Sequence, residues 1–461
     1  MCYIPEAKTR NGKDHDIIKN NEQIFDFTPA AGRNLQAVFD EPAMTSDGGA
    51  LLVRELLEQS ALVKAVARIV ASGHRTRSCK HPTEKILRQR IALICAGWFA
   101  ADHSDALRHD PAMVLAAGGV PGDDTLASQP TVSRLENAVD TRMLLQIGYA
   151  LVDDFVASRK KPPKAVVLDM DPAAIEVYGQ QQLALFNAKE DGYCLMPFHV
   201  YDGLTGDLIT TVIRPGKSPN AKEILAVVKR LVKRLKAAWP RTKLIFRADS
   251  HHTKHEVMDY LQAQGVDFIT ALAKNAALES LFADDIAAAK LAWDRTLSPV
   301  RRYASADYAA RSWGGRKRRV VCRIIVNSQG VDVRYIVTSF RSAGGRYLYE
   351  TTYCGRACAE LMIKDHKLDL GGGRASCNSA QANQFRLYLH SIAYTIMHRL
   401  RAAAAGSELQ TARFGSIMLR LLKVAARVEL GARRIRFHLP SDFPLRALFE
   451  RLAGALRAQP G

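Results

Sequence analysis

The sequence Tyr353-Cys354-Gly355-Arg356-Ala357-Cys358-Ala359-Glu360, which continues to Lys367, spaces its polar side chains at helical intervals. An α-helix turns by about 100° per residue, so polar residues with this spacing project within roughly 60° of one another. The residues concerned are Tyr353, Arg356, Glu360 and Lys367, with Lys364 beside them. One carboxylate would therefore lie among cations and a phenol on a single helical face. The same spacing also occurs in the solvated charged stripe of an ordinary surface helix.

Two short apolar runs upstream of this segment each end in aspartate. They are Ala165-Val166-Val167-Leu168-Asp169-Met170-Asp171 and Lys243-Leu244-Ile245-Phe246-Arg247-Ala248-Asp249. Such runs are typical of buried strands, and residues i and i+2 of a strand share a face, so Asp169 and Asp171 point to the same side. A lone aspartate at a strand end is more often a turn or capping residue. Two of them together with the Glu360 segment are much harder to explain as turn or capping residues alone.

The pattern Y-x2-R-x3-E-x6-K resembles the signature around the catalytic glutamate of the DDE transposases of bacterial insertion sequences. This is the cut-and-paste group whose catalytic domain has the RNase H-like fold. Further segments resemble family motifs in the same order, so that the resemblance extends from about residue 35 to about residue 400. These segments are Leu126 to Asn137, Gly179 to Gln181, Arg214 to Gly216, Arg247 to Ser250, Ala273 to Asn275 and Ala382 to Arg386.

The chain departs from the family pattern at two places. It has His251-His252 where members usually carry Gly-Phe, and Asp171-Pro172-Ala173 where many carry Asp-x-Thr. The second departure leaves open which of Asp169 and Asp171 is the first metal ligand.

The resemblance implies a cofactor and a set of roles. Two Mg²⁺ ions, with Mn²⁺ as a substitute, would be held by catalytic residues, namely Asp169 or Asp171, Asp249 and Glu360. The cations and the phenol of the Glu360 segment would position the DNA end, because arginine suits forked phosphate contacts and lysine acts as a point charge. These DNA-binding residues would be Tyr353, Arg356, Lys364 and Lys367. Further implied partners are the terminal inverted repeats, the target DNA and a second copy of the chain in a homodimeric synaptic complex.

Composition agrees with a nucleic-acid partner. The formal charge is +19 and the isoelectric point about 9.6, and a polyanionic ligand is the simplest reason for so basic a chain. The eight cysteines never form Cys-x2-Cys, which favours a reducing compartment over a disulfide or zinc scaffold. The longest apolar stretch, Ile91 to Ala101, is too short to cross a bilayer. We expect the bacterial cytoplasm as location, with association to the nucleoid when DNA is bound.

Two other segments are candidates for DNA contact. Ser128 to Arg134 has the composition of a helix start, which is also how a recognition helix begins, so Gln129, Ser133 and Arg134 are candidate contacts. An ordinary capped helix explains this segment equally well. A second, aromatic-flanked loop offers Arg316, Lys317, Arg318 and Arg319 to a phosphate backbone, or is simply an exposed charged loop.

The predicted fold class is α/β, with an RNase H-like core, a mainly β insertion between the second aspartate and the glutamate, and helical N- and C-terminal regions. Strands are predicted at 165–171, 193–201, 208–213, 243–249 and 267–271, and a hairpin at 319–337. Amphipathic helices are predicted at 387–401 and 412–430. The predicted organisation is a flexible N-terminus (1–34), a helical DNA-binding or dimerisation region (35–158), the core (165–275 and 350–400), the insertion (276–349) and a basic helical C-terminal region (401–461).

The predicted function is that of a DNA transposase that excises and inserts an insertion-sequence element by metal-dependent cleavage and strand transfer. Two alternatives stay open. One is a related RNase H-like DNA nuclease that cuts without joining strands. The other is a domesticated DNA-binding protein that keeps the fold and lacks catalysis.

Overall fold

The computed structural model describes residues 24–41, 43–72 and 80–457. Most of the predicted flexible N-terminus, up to residue 23, lies outside these ranges. The remainder of that segment forms the first strand of an exposed two-stranded hairpin and begins the second, at residues 25–37. Within the described ranges, no helix is both long and apolar enough to span a membrane.

The regular elements follow the order predicted for an α/β chain. The α-helices are α1 (Ala50–Gln59), α2 (Ala61–Ala71), α3 (Thr83–Cys95), α4 (His103–Ala106), α5 (Pro111–Ala116), α6 (Gln129–Asn137), α7 (Thr141–Ala157), α8 (Ala221–Ala238), α9 (His255–Ala263), α10 (Ala276–Leu281), α11 (Ala283–Thr296), α12 (Ala357–Lys364), α13 (Ala380–Ala403), α14 (Phe414–Ile417) and α15 (Arg446–Arg457).

The strands are β1 (Phe25–Ala30), β2 (Arg33–Ala37), β3 (Met44–Thr45), β4 (Ala165–Pro172), β5 (Ile175–Glu176), β6 (Leu185–Asn187), β7 (Gly192–Leu195), β8 (Phe198–Asp202), β9 (Leu208–Val212), β10 (Lys243–Ala248), β11 (Asp267–Leu272), β12 (Val300–Tyr308), β13 (Arg318–Asn327), β14 (Gly330–Thr338), β15 (Ala426–Gly431) and β16 (Arg434–His438). Short 3₁₀ segments lie at Ser250–His252, Arg311–Trp313 and Cys354–Arg356, and π-helical segments at Tyr347–Tyr353, Asp365–Asp369 and Met418–Leu422.

A mixed sheet of eight strands dominates the molecule, in the order β12-β13-β14-β11-β10-β4-β8-β9. Strand β10 is parallel to both β4 and β11, and the remaining pairs are antiparallel. The apolar run of β4 is buried along Val166–Asp171, as its composition predicts. The two aspartate-ending strands are therefore neighbours at the centre of the sheet.

The segment between the second aspartate and the glutamate extends this same sheet. The predicted hairpin is present as β13 and β14, and β14 joins the sheet by pairing with β11. Helices α10 and α11 precede its first strand, β12. The β-rich part is thus a continuation of the central sheet.

The helices before the sheet share one hydrophobic core with those after it. Buried side chains of α1, α2 and α3 pack with those of α13 and α15. A buried ion network also joins these regions, in which Glu136 of α6 lies 3.2 Å from Arg90 of α3 and 3.7 Å from Arg386 of α13. Helix α7 contributes to this core and, through Phe155, to the core under the sheet.

Two predicted elements are wrong in extent. The predicted strand 193–201 is divided at Pro197 into β7 and β8, which belong to different sheets, because proline lacks the N–H that a continuous ladder needs. The predicted helix 412–430 ends at Leu422, and residues 426–431 form strand β15. Buried and exposed residues alternate from Ala426 to Glu429, which is a strand period inside the segment predicted to be helical.

Candidate active site

Asp171 and Asp249 lie side by side where two parallel strands end. In the ladder between β4 and β10, Arg247 pairs with Asp169 and Ala248 with Met170, so Asp249 comes level with Asp171. Asp171 is 6% exposed. The carboxyl ends of adjacent parallel strands thus bring two of the predicted carboxylates together.

The guanidinium group of Arg356 binds Asp171. Its Nη2 donates to both carboxylate oxygens, at 2.7 Å to Oδ1 and 2.6 Å to Oδ2. Burial raises the pKa of Asp171, the charge and hydrogen bonds of Arg356 oppose the rise, and neighbouring Asp249 adds to it. Tyr353 lies close enough for the charges of Arg356, Asp249 and Asp171 to act on its phenol, whose pKa is raised chiefly by burial. The signature segment therefore meets the strand-end carboxylates through Tyr353 and Arg356.

Asp169 is engaged in a different, fully internal ion pair. Arg247 on the adjacent strand donates from Nε to Oδ1 at 2.5 Å and from Nη2 to Oδ2 at 2.6 Å. Its third nitrogen, Nη1, donates to the carbonyl of Thr352 at 2.5 Å. Burial raises the pKa of Asp169 to about 6, against the opposing hydrogen bonds and charge of Arg247. This pair ties the central strands to the residue before Tyr353.

His252 holds the carboxylate of Asp249, a contact that sequence reasoning missed. The ring Nδ1 of His252 lies 2.7 Å from Oδ1 of Asp249, so Nδ1 carries the proton that it donates, and the backbone N–H of His251 donates to the same oxygen at 3.0 Å. Burial would raise the pKa of Asp249, but the hydrogen bond and charge of His252 leave it lowered. The Asp-Ser-His-His spacing, an acid capping a 3₁₀ turn, was the available signal.

The Glu360 segment is an irregular helix, so the predicted single α-helical face is wrong in its geometry. Tyr353 ends a π-helical stretch, Arg356 ends a 3₁₀ turn, and Lys367 lies in a second π-helical stretch. Regular α-helix covers only Glu360 and Lys364 of the signature residues. Changes of helical period rotate the residues beyond them out of register.

Glu360 and the two lysines lie on the outside of this segment or near its edge. Glu360 and Lys364 are exposed, and Lys367 is half-buried, with its charge acting on buried His199 of β8. Within residues 24–41, 43–72 and 80–457, Glu360 has no hydrogen bond or ion pair through its side chain. It follows Arg356 by four residues, about one helical turn.

The strand-end residues suit a hard divalent cation. Asp171 and Asp249 supply carboxylate oxygens, the ligands that Mg²⁺ prefers, and the guanidinium of Arg356 stands against Asp171 where a cation would be held. In this conformation, the described residues contain no group of three or more His, Cys, Asp or Glu side chains arranged to bind a metal. The arrangement present therefore fits a site with two carboxylates in place and Glu360 outside it.

The structure places the four cations of the predicted DNA-contacting loop in two different settings. Arg318 is 2% exposed, pairs with Asp259 at 2.5 Å and lies over the ring of Trp313. The Nη1 of Arg319 donates to three carbonyl groups, at 3.3, 2.9 and 2.8 Å. Arg318 is thus occupied by a partner on α9, and Arg319 by the segment that follows β14. Arg316 and Lys317 are exposed, although Arg316 also pairs with Asp259, at 2.6 Å.

The helix start predicted at Ser128 to Arg134 is present as the beginning of α6. Its inner face, with Val132 and Leu135, packs into the shared helical core. Arg134 is exposed, whereas Gln129 and Ser133 are half-buried. The guanidinium of Arg134 donates to Thr131 of the same helix, at 3.1 Å.

Comparison with known proteins places the chain in one family. Residues 27–460 match the family described as Transposase DDE domain group 1. No curated protein matches the sequence. The cryo-EM structure of a piggyBac transposase synaptic complex with hairpin DNA is similar over 89% of this chain and 86% of that chain, at 11% sequence identity and a TM-score of 0.41. Because the family match spans nearly the whole sequence, the protein belongs to the Transposase DDE domain group 1 family.

Proposed function

We propose that the protein is a DNA transposase that cuts DNA at the ends of an insertion-sequence element and joins those ends to a target. The observation that carries the proposal is the pairing of Asp171 and Asp249 at the ends of adjacent parallel strands, with Arg356 of the signature segment bound to Asp171. The strand order β9-β8-β4-β10-β11 supports an RNase H-like core around that pair.

Asp171 is the better choice for the first metal ligand. Both oxygens of Asp169 already accept hydrogen bonds from Arg247, and that pair is buried on both sides. Asp171 has a half-buried partner, Arg356, which belongs to an irregular helix and can be displaced at lower cost. The proposed ligands are therefore Asp171, Asp249 and Glu360, with Asp169 supporting the strand beside them.

The roles of the chain's own residues follow from these contacts. When bound, two Mg²⁺ ions would stabilise charge on the attacking and leaving oxygens of an in-line phosphoryl transfer. Arg356 balances the charge of Asp171 before DNA binds. Once released from Asp171, its guanidinium group could donate two parallel hydrogen bonds to a phosphate. His252 keeps Asp249 ionised and fixed in orientation.

DNA contacts are proposed for the exposed and half-buried members of the predicted sets, apart from the engaged side chains of Arg318 and Arg319. Tyr353 and Arg356 would act near the cleaved end, with Lys364 and Lys367 along the same segment. Arg316 and Lys317 of the insertion, and Gln129, Ser133 and Arg134 of α6, would bind duplex away from the chemistry. The partners are the terminal repeats, the target DNA and a second copy of the chain, in the bacterial cytoplasm.

The proposal is tested with supercoiled DNA that carries both ends of the element encoding the chain. The wild type is expected to cut and join these ends with Mg²⁺ or Mn²⁺ and to stop when a chelator is added. Asp249→Asn and Glu360→Gln should abolish both steps and change DNA affinity by only a few fold, because affinity comes largely from cations elsewhere.

The matched control is Asp284→Asn, which removes one exposed carboxylate from the first turn of α11 and should leave the rate unchanged. Cleavage at the wild-type rate by either site variant would reject the metal-ligand assignment. Cleavage without any joined product would favour the nuclease alternative. DNA binding by a wild type that never cleaves would favour the DNA-binding alternative.

A further inference from the structure

The C-terminal region contains a β-hairpin with one strongly basic face. Strands β15 and β16 pair so that Arg427 lies opposite His438 and Glu429 opposite Arg436. Alternate residues of a strand share a face, so Arg434 lies on this face as well. All of its arginines are exposed, and Arg433 is exposed at the turn. We name this hairpin, residues 426–438, the arginine ribbon.

The opposite face fixes the ribbon to the body of the protein. Val428 is 4% exposed, and Phe437 packs against the buried cluster formed by α1, α3 and α5. Strand β15 also pairs with β3, which makes a three-stranded sheet in the order β16-β15-β3. The basic face is therefore held outward by packing on its reverse side.

The arginines of the ribbon lack carboxylate partners in the described part of the chain. None of Arg427, Arg433, Arg434 and Arg436 lies within ion-pair distance of an acidic side chain of residues 24–41, 43–72 or 80–457. The one acidic residue on the face, Glu429, lies 3.2 Å from the ring Nε2 of His438.

Three arginines of the preceding segments, Arg399, Arg401 and Arg413, are placed differently. Arg401 and Arg413 both pair with Asp365, and Arg399 pairs with Asp154. Those arginines hold elements of the fold together. The arginines of the ribbon present their charge to solvent, with Glu429 of the same face as a nearby carboxylate.

We propose that the arginine ribbon binds the phosphate backbone of duplex DNA, which rests on the proposed function because DNA is its ligand. Arg434 and Arg436, two residues apart on one strand, are separated by about 7 Å, close to the distance between adjacent phosphates along one DNA strand. Guanidinium groups bind phosphate oxygens in forked pairs. The contacts are independent of base sequence, and they lie outside every residue set assigned to the chemistry.

The experiment compares two double variants of the full-length chain on a random-sequence duplex in the presence of a chelator. The slope of log affinity against log salt concentration is negative. The double variant Arg434→Gln with Arg436→Gln should reduce the magnitude of this slope by about two and weaken binding roughly tenfold or more near 0.1 M salt. The control, Arg420→Gln with Arg446→Gln, removes the same charge from exposed arginines that already pair with Glu408 and Glu450. It should shift the slope by less than about half a unit.

A charge-preserving variant separates DNA contact from folding. Arg434→Lys with Arg436→Lys should keep the wild-type salt slope, since both cations remain. Equal slopes for the glutamine variant and its control, or loss of slope in the lysine variant, would overturn the proposal. The assay measures DNA binding in the presence of a chelator, so its outcome does not depend on cleavage. A wild type that binds through the ribbon and never cuts the element ends would reject the proposed function and leave the ribbon assignment standing.

Discussion

Asp169 and Asp171 lie two residues apart on one strand, yet their partners differ in a way that the sequence does not show. Asp169 forms a bidentate pair with Arg247, and both side chains are buried. Both carboxylate oxygens of Asp171 accept hydrogen bonds from a single nitrogen of Arg356, and the side chain of Arg356 is partly exposed. Removing one member of a buried pair leaves an uncompensated charge, whereas a partly exposed partner can turn toward water.

Asp169→Asn should therefore lower the free energy of unfolding by about 3 kcal/mol, and Asp171→Asn by about 1 kcal/mol or less. The cause of lost cleavage should also differ between the two variants. Asp171→Asn should be inactive although it is folded, whereas any loss of cleavage by Asp169→Asn should come from its lower stability. Denaturant unfolding measures the first difference, and cleavage below the unfolding transition measures the second. Equal free energies of unfolding for the two variants would show that the ion pair of Asp169 with Arg247 stabilises the fold no more than the pair of Asp171 with Arg356. Wild-type cleavage by Asp171→Asn would return the metal role to Asp169.

Gly203 lies against the same ion pair, and its substitution tests how tightly the pair is packed. A Cβ atom at this position would stand 2.3 Å from Oδ2 of Asp169 and 2.4 Å from Nη2 of Arg247. Gly203→Ala should cost about 1 to 3 kcal/mol of stability by forcing these buried groups apart. Gly344→Ala is the control, since nothing lies within 4 Å of its added carbon. Equal melting temperatures for the two variants would mean that the pair can move freely.

At the scale of elements, the irregular helix around Glu360 brings Arg356 onto Asp171. If Arg356 occupies the place of a cation, Arg356→Gln should bind Mn²⁺ in the absence of DNA at least as tightly as the wild type, while cleavage and end binding fall. Lys364→Gln removes the same charge one turn beyond Glu360 without touching Asp171. Calorimetric titration with Mn²⁺ distinguishes the two. Weaker Mn²⁺ binding by Arg356→Gln, or equal tightening in both variants, would contradict direct competition for Asp171.

The elements also show where sequence reasoning succeeds and where it stops. Strands β4 and β10 could be predicted because a short apolar run has one simple solution, a buried strand. The π and 3₁₀ turns around Arg356 could not, since they depend on contacts such as the bond from Arg247 to Thr352, made by residues far apart in sequence. Arg318 illustrates the same limit. A charged loop predicts exposure, but Asp259 and Trp313 bury this side chain.

For the whole molecule, the decisive feature is that the first and last helices share a core. Leu52 and Leu57 of α1 belong to the same buried cluster as Leu452 and Leu456 of α15, and Gln59 donates to the carbonyl of Leu456. Helices α7 and α13 connect this helical core to the sheet, α13 packing against β9. A chain built in this way should lose both cores together when either is weakened.

Leu452→Ala tests that cooperativity, because it alters the helical core far from the sheet along the chain. The truncation of a fully buried leucine should cost about 2 to 5 kcal/mol. Three of the four tryptophans, Trp239, Trp293 and Trp313, pack in the sheet core, so fluorescence reports that core while far-UV circular dichroism reports the helices. Both signals should move to the same lower denaturant midpoint. Gly454→Ala in the same helix meets nothing within 4 Å and should instead raise stability by about 0.5 to 1 kcal/mol. A dichroism shift without a fluorescence shift would show that the helical and sheet cores unfold independently.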